Sequence, residues 1–355
     1  GLHERLFYRP LLEAFAGPRV PRPGIERAAT EELLGGLGFA APASAYERFD
    51  RVVDPSTRLG KVLGHVFPVV APALALSADP DQALVRLERV GDALKEQPTV
   101  PDLIASNPGI ARRIALIAGA SSWLTDLLVR RTDAIRAVLH SPEEAHSLGS
   151  EAALLAAGAA YVGGELSVPA SGRTLAGIAD AVIRESMRDA GPGVPFAAIG
   201  LGHLGGEELN FASDLDLVFV FEGAGTGAFE EAERVAGAVL EGIRQAGFEG
   251  DADLRPEGRS GPLARSLAAY LEYWQRWGQT WEFQSLLKAR LVAGDEALGR
   301  RFTSIAEDFA YPETLPLEKG AEIRASGFAR PTRVASTSSW ATEALRTCSS
   351  LWNCS

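Results

Sequence analysis

The chain holds only two cysteines, Cys348 and Cys354, and one methionine, Met187. Two cysteines near one end provide neither a disulfide framework nor the paired spacing of a zinc site. Long apolar runs are missing as well. The longest, Val66 to Leu76, is too short to span a bilayer and contains Pro68 and Pro72. Positive charge is in deficit: 35 Lys and Arg against 46 Asp and Glu leave a formal net charge of −11. That balance argues against non-specific nucleic-acid or membrane-surface binding, which needs a basic face. No signal peptide is visible, so the cytoplasm is the expected compartment. Residue 1 is Gly and the sole Met is internal, so the chain reads as a fragment of a longer product.

What remains is an ordinary globular composition, 46% hydrophobic and 23% charged, over 355 residues, room for two domains. Residues 1–140 read as successive helices. Apolar stripes at helical spacing (Leu6, Leu11, Leu12 and Phe15; Leu33, Leu34 and Leu37; Ala83, Leu84, Leu87, Val90 and Leu94) alternate with proline-bearing breaks. This region carries no titratable cluster and reads as scaffold. From 141 to 195 the candidate helices are Ala152–Ala160 and Leu175–Met187, joined by a loop-like Val168–Gly172.

The informative stretch is AIGLGHLGGEELNFASDLDLVFVF, Ala198 to Phe221. Phe196 to Ile199 reads as a buried strand, and Gly200, Gly202, Gly205 and Gly206 as a turn. A second apolar run, Leu217 to Phe221, follows Asp214 and Asp216. Strand geometry puts these two acids on one face. Side by side they repel, and a divalent cation is the usual reason to keep them together. Glycines let backbone N–H groups approach a phosphate closely. Gly-x-Gly-x-x-Gly is formally present at Gly200, Gly202 and Gly205. The next strand comes too soon for a dinucleotide-binding βαβ unit. Beyond it, Phe229 to Ile243 reads as a helix, and Gly247 to Gly250 turns into a third strand carrying Asp251 and Asp253. Leu267, Tyr270, Tyr273, Trp274 and Trp277 form an aromatic helical stripe read as core. Trp281 to Arg290 reads as a further helix.

The 198–221 stretch, together with DADLRPEGRSGPL (Asp251–Leu263) and WEFQSLLKARLVAGD (Trp281–Asp295), resembles the signature of glutamine synthetase adenylyltransferases, a branch of the polymerase-beta-like nucleotidyltransferases. The three blocks occur in the family's order. The resemblance implies an α+β fold, mostly helical, with a small mixed-sheet catalytic core flanked by helical regions. Its expected limits are 1–140 for the helical linker region, 141–312 for the nucleotidyltransferase domain and 313–325 for the start of a C-terminal helical region. By the same resemblance Asp214, Asp216 and Asp251 are the catalytic, metal-binding carboxylates, holding two Mg²⁺ ions. Asp253 lies on the same strand face, and the match to the family's pattern decides for Asp251. Gly205, Gly206, Ser213, Arg255, Arg259 and Lys288 are the expected nucleotide-binding residues. His203 departs from the family's usual Lys or Arg.

The implied reaction transfers AMP from ATP to a tyrosine of glutamine synthetase, with the PII signal protein as an implied regulator. Two alternatives stand beside it: the phosphorolytic, ADP-releasing half of the same enzymes, and a non-catalytic nucleotide-binding module. The opening LHERLFYRPLL resembles the linker that precedes the second, adenylylating half, whereas Glu-Leu-Asn-Phe and Trp-Glu-Phe-Gln-x-Leu-Leu-Lys-Ala-Arg look more like the first half. Residues 326–355 depart from the family. Back-translated one base early, Ala335 to Cys348 permits a Lys-Leu-Gly-x-Gly-Gly-Leu-x-Asp-Val motif that the family carries at this place. A frameshift near Ala325–Val334, followed by a disordered tail, is therefore expected.

Overall fold

The computed structural model describes residues 27–313 and 321. The linker-like opening, the 326–355 tail with its inferred frameshift, and nearly all of the 313–325 segment lie outside the described residues. The chain divides into two compact units between Leu166 and Ser167.

The first unit is all helix: α1 (Arg27–Gly36), α2 (Pro42–Val52), α3 (Arg58–Ala75), α4 (Pro80–Leu94), α5 (Val100–Ser106), α6 (Gly109–Ala120), α7 (Ser122–Arg130), a 3₁₀ segment (Thr132–Leu139), α8 (Pro142–His146) and α9 (Ser150–Val162). Side-chain N-caps start several of them. The Thr57 side chain accepts from the Gly60 N–H, that of Asp79 from Gln82, and that of Ser121 from Leu124. Helix α9 is buried from Ala152 through Ala160 and packs against α6, α8 and the 3₁₀ segment. A helix apolar on every side must be enclosed. Residues 141–166 therefore pack with the helical unit, and compactness places the division at 166–167 where the sequence reading has it at 140–141.

The second unit opens with α10 (Val168–Ala190). The loop expected at Val168–Gly172 is instead the first turn of this helix. The Ser167 side chain accepts from Ala170 N–H, and Pro169 sits where a helix start tolerates proline. Then come β1 (Phe196–Gly200), a one-turn α11 (Gly202–Gly205), β2 (Leu215–Phe221), α12 (Gly225–Gln245), β3 (Gly250–Asp251), β4 (Ala264–Ser266), α13 (Leu267–Arg276), α14 (Thr280–Ser285), β5 (Arg290–Gly294) and α15 (Glu296–Ala310). The sheet order is β3-β2-β1-β5. Strand β1 is antiparallel to both neighbours, and β3 and β4 both pair parallel with β2. The fold is thus α+β, mostly helical, with a small mixed sheet.

Period-2 alternation divides β2 between two layers. Val218 and Val220 face a core with Tyr270, Trp274 and Phe302 from α13 and α15. On the opposite face Phe219 stacks on Phe196 at 5.8 Å, and Phe221 meets Phe229 of α12 at 6.5 Å. Of the aromatic stripe read as core, Tyr270 and Trp274 are buried and Leu267 and Tyr273 partly so, but Trp277 lies past the end of α13 and is exposed. The helix expected over Trp281–Arg290 is shorter. It gives way after Ser285 to a 3₁₀ turn and then to β5, which pairs with β1 about ninety residues upstream. Among the described residues no helix is long and apolar enough to cross a membrane.

Candidate active site

Asp216 lies on β2 and Asp251 on β3, and the two are direct partners in the parallel register. Partners in adjacent strands point the same way and stand about 4.8 Å apart across the ladder. Asp214 lies just before β2, close enough to Asp251 to feel its charge. The same register sets Glu249 beside Asp214, since the N–H of Leu215 donates to the Glu249 carbonyl at 2.8 Å. The Asp214 carboxyl is pushed above the ordinary carboxylate range. Desolvation comes first, then the charge of Glu249 and a hydrogen bond shared with it, then Asp251. Among the described residues no Lys or Arg forms an ion pair with Asp214, Glu249 or Asp251. The cluster is a set of hard oxygen donors, of which Asp251 Oδ1 accepts from the Asp253 N–H at 2.6 Å.

Among the described residues no three acid, His or Cys side chains stand together closely enough to hold a metal ion. Mg²⁺ does not require three: it keeps several waters and binds through one or two carboxylates plus substrate phosphates. The donor chemistry present fits that ion.

The glycine turn abuts this cluster. Gly202 has φ +51, and a Cβ added there would lie 2.2 Å from Asp216 Oδ2. Only glycine lets that carboxylate lie against the turn. Leu201 N–H fixes the other side of Asp216 by donating to its carbonyl at 2.9 Å. Gly205 and Gly206 do something other than expected. Their N–H groups donate to Leu201 and Gly202 carbonyls at 2.8 and 3.1 Å, so neither points a free donor at a phosphate. Both glycines instead admit Lys288. A Cβ on Gly205 would meet the Lys288 carbonyl at 2.0 Å, and one on Gly206 the Lys288 Cδ at 2.7 Å.

The other expected nucleotide ligands separate into two groups. Lys288 and Arg259 are exposed, each bonded to an acid: Lys288 Nζ to Glu208, Arg259 Nε to Asp253 at 2.6 Å. Arg255 is buried. Its Nη1 donates to Ala252 at 2.7 Å, and its Nε and Nη2 donate to Gly261 at 3.2 and 3.1 Å, so it holds the 252–261 loop together. Its phosphate role does not survive, because a guanidinium enclosed by three carbonyl bonds has no access to ligand. Ser213 Oγ accepts from Asn210 N–H at 3.1 Å and closes the loop before β2. Strand β3 ends at Asp251. Asp253 lies beyond it with its carboxylate on Arg259, which leaves Asp251 as the third acid of the cluster.

Sequence reading missed three residues. Glu249 precedes Asp251 by two and was open to the same period-2 argument. Asp180 and Arg290 had no such signal. They form a two-pronged ion pair, with distances of 2.7 and 2.9 Å, between segments 110 residues apart.

The sequence model of the glutamate-ammonia ligase adenylyltransferase family matches residues 88–305. Similar proteins include three bifunctional glutamine synthetase adenylyltransferase/adenylyl-removing enzymes. That of Mycobacterium avium is 33% identical over 364 residues, covering 88% of this chain and 36% of the relative. Those of Streptomyces avermitilis and Streptomyces coelicolor are each 34% identical, covering 88% of this chain and 37% of the relative. The chain thus spans little more than a third of the length of these relatives. The acids, the turn and β5 all fall inside the matched region, and the chain belongs to the glutamate-ammonia ligase adenylyltransferase family.

Proposed function

We propose that the second unit is a Mg²⁺- and ATP-dependent nucleotidyltransferase that adenylylates glutamine synthetase. The observation that carries the reading is the pairing of Asp216 with Asp251, directly against the Gly202 turn, in a chain of this family. In this reading a tyrosine hydroxyl of glutamine synthetase attacks the α-phosphorus of ATP. The new O–P bond forms as the bond to the β-phosphate oxygen breaks, pyrophosphate leaves, and the phenolic proton is released toward the carboxylate cluster.

Asp214, Asp216 and Asp251 would hold the metal. Mg²⁺ bound there would neutralise the phosphates and lower the pKa of the attacking hydroxyl. Lys288 and Arg259 are the exposed cations that can turn from their acids to a phosphate. Regulation by the PII signal protein and residence in the cytoplasm belong to the same proposal.

ATP carrying label at the α- or the γ-phosphorus tests the reaction. The proposal expects α-label on glutamine synthetase and γ-label in pyrophosphate. Label on the protein only from the γ-position would rule out nucleotidyl transfer. Phosphate-dependent ADP release from adenylylated glutamine synthetase, with no forward transfer, would assign the adenylyl-removing direction, the other activity in the relatives' names.

A further inference from the structure

Asp180 sits on α10, which contributes none of the candidate acids, yet it is a buried charge, only 5% exposed. Its two oxygens take both prongs of the Arg290 guanidinium. The remaining donors of that group reach the end of the glycine turn: Nη2 to the Leu204 carbonyl at 3.0 Å and Nε to the Gly205 carbonyl at 3.3 Å. Arg184 completes the cluster, with Nη2 on Asp180 Oδ2 at 3.0 Å and Nε on the Val292 carbonyl at 3.2 Å. Helix α10 is also where Gly172 allows close approach of the loop following the turn, since a Cβ there would lie 3.2 Å from the Glu207 carbonyl.

A buried ion pair is weak support for stability, because desolvation offsets most of its attraction. What a planar guanidinium held at both prongs does supply is orientation. Here it fixes the final carbonyls of a one-turn helix that could not hold its shape alone. The turn's two ends meet the site. Gly202 lies against Asp216, and the Glu208 N–H donates to the His203 carbonyl at 2.8 Å, fixing the residue whose carboxylate holds Lys288. The clamped end of the turn, Leu204 and Gly205, is the one that leads on to Glu208 and Lys288.

We infer that Asp180 and Arg290 are positioning residues of the nucleotide site, a clamp that holds the end of the glycine turn and, through the Glu208 contact, Lys288. The inference rests on the nucleotidyltransferase reading above. Asp180→Asn keeps the shape but weakens the fork, and Arg290→Lys keeps the charge but cannot bridge Asp180 to both carbonyls. Losing charge-assisted bonds of this kind should raise the KM for ATP by about tenfold or more while kcat stays within about threefold. In the full chain, amide exchange should accelerate at residues 202–208 and remain unchanged in α12 and α15. The double variant should be no worse than the poorer single one, because the pair acts as a unit.

Exchange accelerated across the whole unit, with KM unchanged, would overturn the inference and leave a merely structural pair. Faster exchange confined to the turn, with unaltered ATP affinity, would overturn it too. Wild-type protein that binds no Mg-ATP would sink the reading of the site instead. The clamp itself is then judged by whether exchange at 202–208 responds to Arg290→Lys.

Discussion

Asp214 carries a charge that its surroundings oppose. Desolvation, Glu249 and Asp251 all raise its pKa above the ordinary carboxylate value. The sign follows from linkage: a carboxyl whose folded pKa is raised holds its proton longer in the folded state. Stability therefore falls as pH rises from the unfolded value through the folded one, and remains lowered above it. Metal-free Asp214→Asn should thus melt higher than wild type at pH 7, with the gain vanishing below the ordinary carboxylate range. Thermal melts in chelator at pH 7 and pH 3.5 check this. Equal melting temperatures at pH 7 would mean the cluster is better compensated than its geometry implies. Glu207 offers a second case. At φ +55 it occupies the left-handed position that ends α11, with its N–H on the Leu204 carbonyl at 3.2 Å. A side chain there costs about 1 kcal/mol. Glu207→Gly should stabilise the unit by about 0.5–1 kcal/mol in a denaturant titration, less whatever the Glu207 charge contributes near Arg290. Asp216 was placed on a strand by the apolar run that follows it, and Asp251 by the turn that precedes it. Arg255 was misread because sequence shows a cation beside acids and cannot show two carbonyls, those of Ala252 and Gly261, closing around it.

At the scale of elements, the strands and helices with strong local periodicity were readable, and those defined by distant partners were not. The β1-turn-β2-α12 succession follows from apolar runs and glycine punctuation. Strand β5 does not, since Arg290 to Gly294 becomes a strand only by pairing with β1 and by the grip of Asp180 on Arg290. The turn itself is the element most sensitive to one atom. Gly202→Ala places a methyl where Asp216 Oδ2 lies, at a φ that L side chains avoid. It should lower adenylyl transfer at least about tenfold while circular dichroism stays unchanged. Core packing should respond differently. Phe302 of α15 is fully buried, 5.1 Å from the Tyr270 ring and 5.4 Å from that of Trp274. Phe302→Ala should cost about 3–5 kcal/mol of stability, read from denaturant melts, whereas a shift of under about 1 kcal/mol would show that the site collapses around the loss.

For the whole molecule, every candidate site residue falls in one of two compact units, and the boundary between them was not legible. Helices occupy both sides of it. What assigns α9 to the first unit is its complete burial among α6, α8 and the 3₁₀ segment, a fact of tertiary packing that composition cannot show. Since ATP binds only the folded second unit in this account, Mg-ATP at a hundredfold excess over its Kd should stabilise that unit by about 2.7 kcal/mol.

The central claim is that Asp216 and Asp251 act together as metal-holding carboxylates. The direct measurement is the initial rate of AMP transfer from α-labelled ATP to glutamine synthetase by wild type, Asp216→Asn and Asp251→Asn, each matched for fold by circular dichroism. If the acids hold the metal as proposed, they would supply several kcal/mol of transition-state stabilisation through it, and each variant should lose about a thousandfold or more. The double variant should lose little further. Transfer by either variant within a few-fold of wild type would contradict the account.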